Sequence, residues 1–130
     1  MSRKKARMLL KNQRDALWNT YGATKATNIE DSYYGDHYIA SCKMRLGNHY
    51  FVTESCYTTG EGFSSNVGFT KSDNEMEYMN FDYTVSFKKN KGCDRKNWIA
   101  YLQNIVDTDP GLDKHQKVLI ENSLQQMREN

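Results

Sequence analysis

The side chains that ordinarily titrate near neutral pH are those of the three histidines, His37, His49 and His115. A histidine that serves as a general acid or base usually has a carboxylate that orients its ring. Asp36 precedes His37, and Glu54 lies on the segment that follows His49, so these two acids are the candidates for that role. Because no nucleophile motif accompanies them, the sequence predicts no catalytic residue.

The three cysteines, Cys42, Cys56 and Cys93, are widely spaced and form neither a C-x-x-C pair nor a zinc-type spacing with histidine. An odd number of widely spaced cysteines is typical of free thiols in a reducing compartment. We therefore expect a cytoplasmic protein. Cys42 falls on the apolar side of a predicted strand, where a thiol behaves as a small apolar group.

Three aspartates, Asp107, Asp109 and Asp113, invite comparison with a calcium-binding loop. An EF-hand loop needs glycine at its sixth position and glutamate at its twelfth. Counted from Asp107, Gly111 is fifth and Val118 is twelfth, so the pattern fails. We interpret these aspartates as helix-end and capping residues, and the sequence predicts no metal and no cofactor.

The first 14 residues hold six of the 18 basic residues and no acidic one, which leaves 12 basic against 16 acidic residues in the remainder. Four of the six recur at intervals of four, four and three residues, which places them on one face of a helix. Such a face suits the phosphates of nucleic acid or an acidic protein surface. A solvated helix end is the alternative interpretation. The binding candidates are Arg3, Lys4, Lys5, Arg7, Lys11 and Arg14.

The chain contains nine tyrosines, and most of them lie in or near the predicted sheet. Exposed tyrosines on a sheet can stack on nucleic-acid bases, and tyrosine and arginine are also enriched at protein interfaces. A structural role, with the ring packed and the hydroxyl in water, is the alternative. The interface candidates are the outward-facing residues Lys43, Arg45, Tyr50 and Tyr78.

Helical periodicity marks three segments. Good helix formers dominate the first, which Gly22 ends. Asp94 can cap the second, whose apolar face begins at Trp98. Asp113 and Gln116 resemble a capping box at the start of the third. The predicted helices span residues 4–21, 95–107 and 114 to about 128.

Period-two alternation of apolar and polar side chains marks the strands. A two-residue Gly47-Asn48 turn would join the first two strands and set Met44 opposite Phe51 and Cys42 opposite Thr53, whereas a three-residue loop would shift this register. The predicted strands span residues 37–46, 49–57, 63–70 and 77–88, and the polar residues 22–32 are expected to be irregular.

The sequence thus predicts an α+β fold, in which an N-terminal helix and a four-stranded antiparallel β-meander precede two C-terminal helices packed on one face of the sheet. With 130 residues, one proline and no evident linker, we expect one domain over 1–130. Its parts are the basic helix 1–21, the sheet 33–88 and the helix pair 94–128. The chain shows no apolar run of membrane-spanning length and no signal-peptide core, so we expect no membrane contact.

These observations favour a non-enzymatic binding module. We expect the basic helix to contact nucleic acid or a nucleoprotein and the rest of the chain to contact a host protein, in an oligomeric state that the sequence leaves open. In size, tyrosine content and cationic N-terminal arm, the chain resembles inhibitors carried by bacteriophages and other mobile elements, anti-CRISPR proteins included. No motif carries this resemblance. It implies inhibition of a host defence complex.

A small metal-independent endoribonuclease of the toxin type is the alternative function. Helices around an antiparallel sheet can hold acid–base groups and cations over a scissile phosphate, and such cleavage needs no metal. The candidate residues for this chemistry are Lys43, Arg45, His49 and Tyr50.

Overall fold

The computed structural model describes residues 2–70, 81–82 and 93–129. It has an N-terminal helix, an antiparallel sheet and two C-terminal helices, which confirms the α+β prediction. The elements in chain order are α1 (Ser2–Tyr21), β1 (Thr24–Lys25), β2 (Glu30–Tyr34), β3 (His37–Leu46), β4 (His49–Thr58), β5 (Gly62–Thr70), β6 (Phe81–Asp82), α2 (Cys93–Thr108) and α3 (Lys114–Glu129).

The sheet has six strands in the described residues rather than the four predicted. The two extra strands, β1 and β2, lie in and just after the segment 22–32 that was expected to be irregular. Both pair with the same edge of β3, so long-range hydrogen bonding rather than local sequence makes them strands. Of the predicted strand 77–88, the structure describes β6, which pairs with β5. The rest of that strand, with Tyr78, lies outside the described residues.

The β3–β4 hairpin has the predicted register. Gly47 and Asn48 form the turn, and Met44 lies opposite Phe51 while Cys42 lies opposite Thr53. The even-numbered residues of β3 are buried, whereas its other face is half-buried or exposed. One face of the sheet therefore takes the helices, as the alternation predicted.

All three helices lie on that buried face. α1 crosses β3 and β4, and α3 packs against α1 and α2. The indole of Trp98 on α2 stacks on the ring of Phe51 at 5.3 Å. The predicted capping box begins α3, because the Asp113 carboxylate accepts from the Gln116 amide at 2.7 Å and the Asp113 amide donates to Gln116 Oε1 at 3.0 Å. No helix in the described ranges is long and apolar enough to cross a membrane.

Buried apolar residues form two separate clusters under α1. We call the first the large core, and all three helices contribute to it. The second, the small core, lies between the N-terminal half of α1 and the strands. The large core consists of Leu17, Tyr21, Ala23, Met44, Leu46, Phe51, Val67, Trp98, Leu102, Ile105, Leu112, Ile120, Leu124 and Met127. The small core consists of Ala6, Leu10, Tyr38, Ala40 and Cys42.

Candidate nucleic-acid interface

Strand β2 brings a carboxylate and a phenol to the side of α1. Asp31 is paired with Ala40, and Tyr33 is paired with Tyr38. Opposed residues in an antiparallel pair share a face. Since Ala40 and Tyr38 are buried in the small core beneath α1, Asp31 and Tyr33 also face that helix. The sequence did not predict that Asp31 and Tyr33 face α1, because β2 itself was not predicted as a strand.

Asp31 links the helix to the sheet. Its Oδ1 accepts a hydrogen bond from Arg7 Nη1 at 2.7 Å and another from the Tyr38 hydroxyl at 2.6 Å. The Tyr38 hydroxyl, and then the Arg7 guanidinium, hold the pKa of the Asp31 carboxyl below its ordinary value. The Arg7 charge is therefore partly offset within the fold, and the pair stays partly open to solvent.

Arg3 is held one turn earlier on the same side of α1. Its Nη1 donates to the Tyr33 hydroxyl at 2.7 Å. The rings of Tyr33 and Tyr38 lie 5.3 Å apart, so Tyr33 is supported by an arginine at its hydroxyl and by a buried ring at its side. The Tyr33 side chain is nonetheless accessible to solvent, with 57% of its surface exposed.

The cations border an open groove between α1 and the sheet, with a volume of about 590 Å³, which we call the basic groove. It contains four basic side chains and one carboxylate. Within the described residues, Lys4 and Lys11 make no side-chain hydrogen bond or ion pair, so their charges face solvent. Met8 adds an exposed thioether. The groove is lined by Arg3, Lys4, Arg7, Met8, Lys11, Asp31 and Tyr38.

Two of the six predicted basic residues do not line this groove. The Lys5 ammonium lies 4.6 Å from the centre of the Phe63 ring on β5. Arg14 is half-buried, further along the helix, near Cys42 and Lys25. Burial raises the pKa of the Cys42 thiol, and the charges of Arg14 and Lys25 oppose that rise. The sequence therefore identified the stripe but not which of its members share one cavity.

The interface candidates on β3 and β4 lie together on the face of the sheet away from the helices. Arg45 is paired with Tyr50, and Lys43 precedes them on the same face. The Arg45 guanidinium also donates to the Gly47 carbonyl at 2.9 Å. His49 lies on the other face, opposite the buried Leu46. The four residues of the endoribonuclease hypothesis are thus divided between the two faces of the sheet.

His49 is instead part of a buried network around Asp109, which we call the Asp109 latch. Asp109 accepts from His49 Nδ1 at 2.7 Å, from the Asn48 amide at 2.7 Å and from the Gly111 amide at 2.8 Å. Its side chain is fully buried. Burial opposes ionisation, but these hydrogen bonds outweigh it and hold the pKa of Asp109 below its ordinary value. Asp109, rather than Glu54, is the carboxylate that His49 contacts.

A second histidine–carboxylate pair lies at the other end of the hairpin. His37 Nε2 is 3.6 Å from Asp36, and His37 Nδ1 is 2.8 Å from the Thr58 hydroxyl. Both ionisable side chains are about half or more exposed, and solvent screens a pair of this kind. In the described part of the chain, no three His, Cys, Asp or Glu side chains are placed to hold a metal ion.

Comparison with known proteins adds no relative, since no family model, curated protein or solved structure matches the chain.

Proposed function

We propose that this protein binds nucleic acid through the basic groove. The observation that carries the proposal is that, among the described residues, four cationic side chains share one open cavity with one carboxylate. Arg3 and Lys11 are eight residues apart, which is about 12 Å along a helix. The cations therefore extend along the groove, as contacts to successive phosphates of one strand require.

The contacts of the groove argue against a frayed, merely solvated helix end. Arg3 and Arg7 are tied to the sheet through Tyr33 and Asp31. The helix that carries Lys4 and Lys11 is packed on the small core, and the two sheet contacts orient its cationic face while both lysine charges remain available. A preorganised set of cations loses less entropy on binding a polyanion than a mobile one does.

We also propose that the protein works in the cytoplasm. Cys42 and Cys56 are free thiols. Unpaired cysteines of this kind suit a reducing compartment, where nucleic acid and nucleoprotein partners are found.

The test measures binding of fluorescein-labelled RNA and DNA by anisotropy over a series of salt concentrations. We expect affinity to fall steeply with salt. The double variant Lys4→Ala/Lys11→Ala should weaken binding and reduce the slope of log K against log salt by about 1.4–1.8, the value for two lost phosphate contacts.

The matched control is Lys114→Ala/Lys117→Ala, which removes the same charge from exposed positions of α3. We expect it to bind as the parent protein does. An equal loss in both double variants would attribute binding to net charge rather than to the groove. Absence of binding to RNA and DNA at 50 mM salt would overturn the proposal.

A further inference from the structure

We propose that the basic groove takes single-stranded rather than double-stranded nucleic acid, with one base stacked on the ring of Tyr33. This inference rests on the proposed function and specifies its ligand. Three features support it: an aromatic ring that contacts two lining residues of the groove, Arg3 and Tyr38, a carboxylate among the cations of the groove, and an apolar side chain in its wall.

Tyr33 has the properties of a stacking platform. The Arg3 guanidinium holds its hydroxyl, and the Tyr38 ring lies 5.3 Å from its own. More than half of Tyr33 is still exposed. A base can stack on such a ring without first ordering it, and stacking on aromatic side chains is the usual means by which proteins hold single strands. The bases of a duplex are already stacked on one another and cannot reach it.

Asp31 disfavours a row of phosphates on the strand side of the groove. Its Oδ1 accepts hydrogen bonds from Tyr38 and Arg7, which lower the pKa of the carboxyl, so the carboxylate is charged at neutral pH. Like charges within a binding site repel. A single strand avoids this repulsion when its phosphates follow Lys4 and Lys11 on the helix side and its bases turn toward the strand.

Met8 lies on the helix between those two lysines and is 54% exposed. A thioether offers nothing to a phosphate, but it provides a polarizable apolar contact for the face or edge of a base. Its place in the wall of an otherwise cationic groove fits a ligand whose bases are unpaired.

The test compares a labelled single strand with a hairpin duplex of the same base composition, at one salt concentration. We expect the single strand to bind at least tenfold more tightly. Tyr33→Leu should weaken single-strand binding by about 5- to 100-fold and leave duplex binding unchanged. Tyr33→Phe, which keeps the ring and loses the Arg3 contact, should stay within about threefold of the parent.

Tyr34→Leu is the matched control. Tyr34 is 65% exposed on the same strand, but it points to the opposite face of the sheet. We expect no change in affinity. Asp31→Asn should strengthen duplex binding more than single-strand binding, because it removes the repulsion that the duplex meets. Circular dichroism melts of each variant separate a loss of binding from a loss of folding.

Failure of this inference differs from failure of the proposed function. Equal affinity for the two forms, with a loss in both on Lys4→Ala/Lys11→Ala, would keep nucleic-acid binding and overturn the single-strand preference. An equal effect of Tyr33→Leu and Tyr34→Leu would overturn the stacking role. If neither form binds while a labelled poly-glutamate peptide does, the ligand is an acidic protein and both proposals fall.

Discussion

The two cores of this protein differ in how they are closed. Among the residues whose structure is described, the large core contains 14 buried residues drawn from all three helices and the sheet. The Asp109 latch joins the Gly47-Asn48 turn to the end of α2. The small core contains five, drawn from α1 and β3. The basic groove lies over the small core. The charged surface thus lies over the cluster with fewer buried residues in the described ranges, and we expect local opening there to cost less free energy.

A polar layer separates the two cores. The Thr53 hydroxyl donates to Gln13 Oε1, and both residues are buried. Gln13 Nε2 and the nearby Ser55 hydroxyl are buried without a hydrogen-bond partner within the described residues. The buried polar side chain of Gln13 interrupts the apolar face of α1 between Leu10 and Leu17. We expect the helix on either side of Gln13 to differ in stability, and the following measurements test that difference.

Asp109→Ala should cause the largest loss, about 3–5 kcal/mol in the free energy of unfolding, because it leaves buried donors of the turn and of His49 without an acceptor. Urea denaturation measures it. The control is Asp107→Ala, on the same helix end but exposed, which should cost less than about 0.5 kcal/mol. Similar losses in the two variants would show that the latch does not close the large core.

The latch also makes stability depend on pH. The pKa of Asp109 is lower in the folded protein than its ordinary value of 3.8. The stability from its ionisation is therefore complete above that value and is lost as pH falls through the folded pKa. Asp109→Asn should be less stable than the parent at pH 7 and close to it at strongly acidic pH. A stability difference that stays constant with pH would contradict this assignment.

Leu17→Ala and Leu10→Ala compare the cores directly, since both side chains are fully buried on α1. We expect Leu17→Ala, among residues of three helices, to lower the free energy of unfolding by about 3–4 kcal/mol. Leu10→Ala should lower it by about 2–3 kcal/mol, because fewer neighbours surround the cavity. Hydrogen exchange sharpens the comparison. Leu10→Ala should speed exchange in the first half of α1 and leave α2 protected. Uniform acceleration along all helices would mean that the two cores unfold as one.

Two glycines with almost the same backbone conformation give a smaller comparison. Gly47 has a φ of +63° and Gly35 a φ of +62°. A Cβ on Gly47 would clash with Asp109 Oδ2, whereas no atom of the described residues lies within 4 Å of one on Gly35. We expect Gly35→Ala to lower the free energy of unfolding by about 1 kcal/mol, from backbone strain alone. Gly47→Ala should lower it by about 2–3 kcal/mol. Equal thermal shifts would show that the latch yields to the added methyl group.

Local patterns in the sequence predicted the parts of the fold that local physics decides. Alternation predicted β3 and its pairing with β4, and the Asp113–Gln116 box predicted the start of α3. The strand β2 has no such pattern, because its residues become a strand only by pairing with an edge of β3. The sequence pattern also gave no indication of side-chain contacts between residues far apart in the chain, such as Asp109 with His49.

The candidate site divides in the same way. Helical spacing was enough to predict a cationic stripe on α1. It did not predict that Asp31 and Tyr33 would meet that stripe, since both lie on the unpredicted strand. Asp109 lies 60 residues from His49, and its spacing to neighbouring aspartates indicated only a helix end. A groove that depends on long-range pairing cannot be derived from periodicity alone.

The Arg7–Asp31 pair should show the smallest effect on stability. Its side chains are 37% and 42% exposed, so solvent screens the attraction. A double-mutant cycle with Arg7→Ala and Asp31→Ala should give a coupling energy below about 1 kcal/mol in urea denaturation. The pair would then serve to position the cations of the groove rather than to hold the small core together. A coupling energy above about 2 kcal/mol would show that this ion pair closes the small core as the Asp109 latch closes the large one, and the contrast between the two regions would disappear.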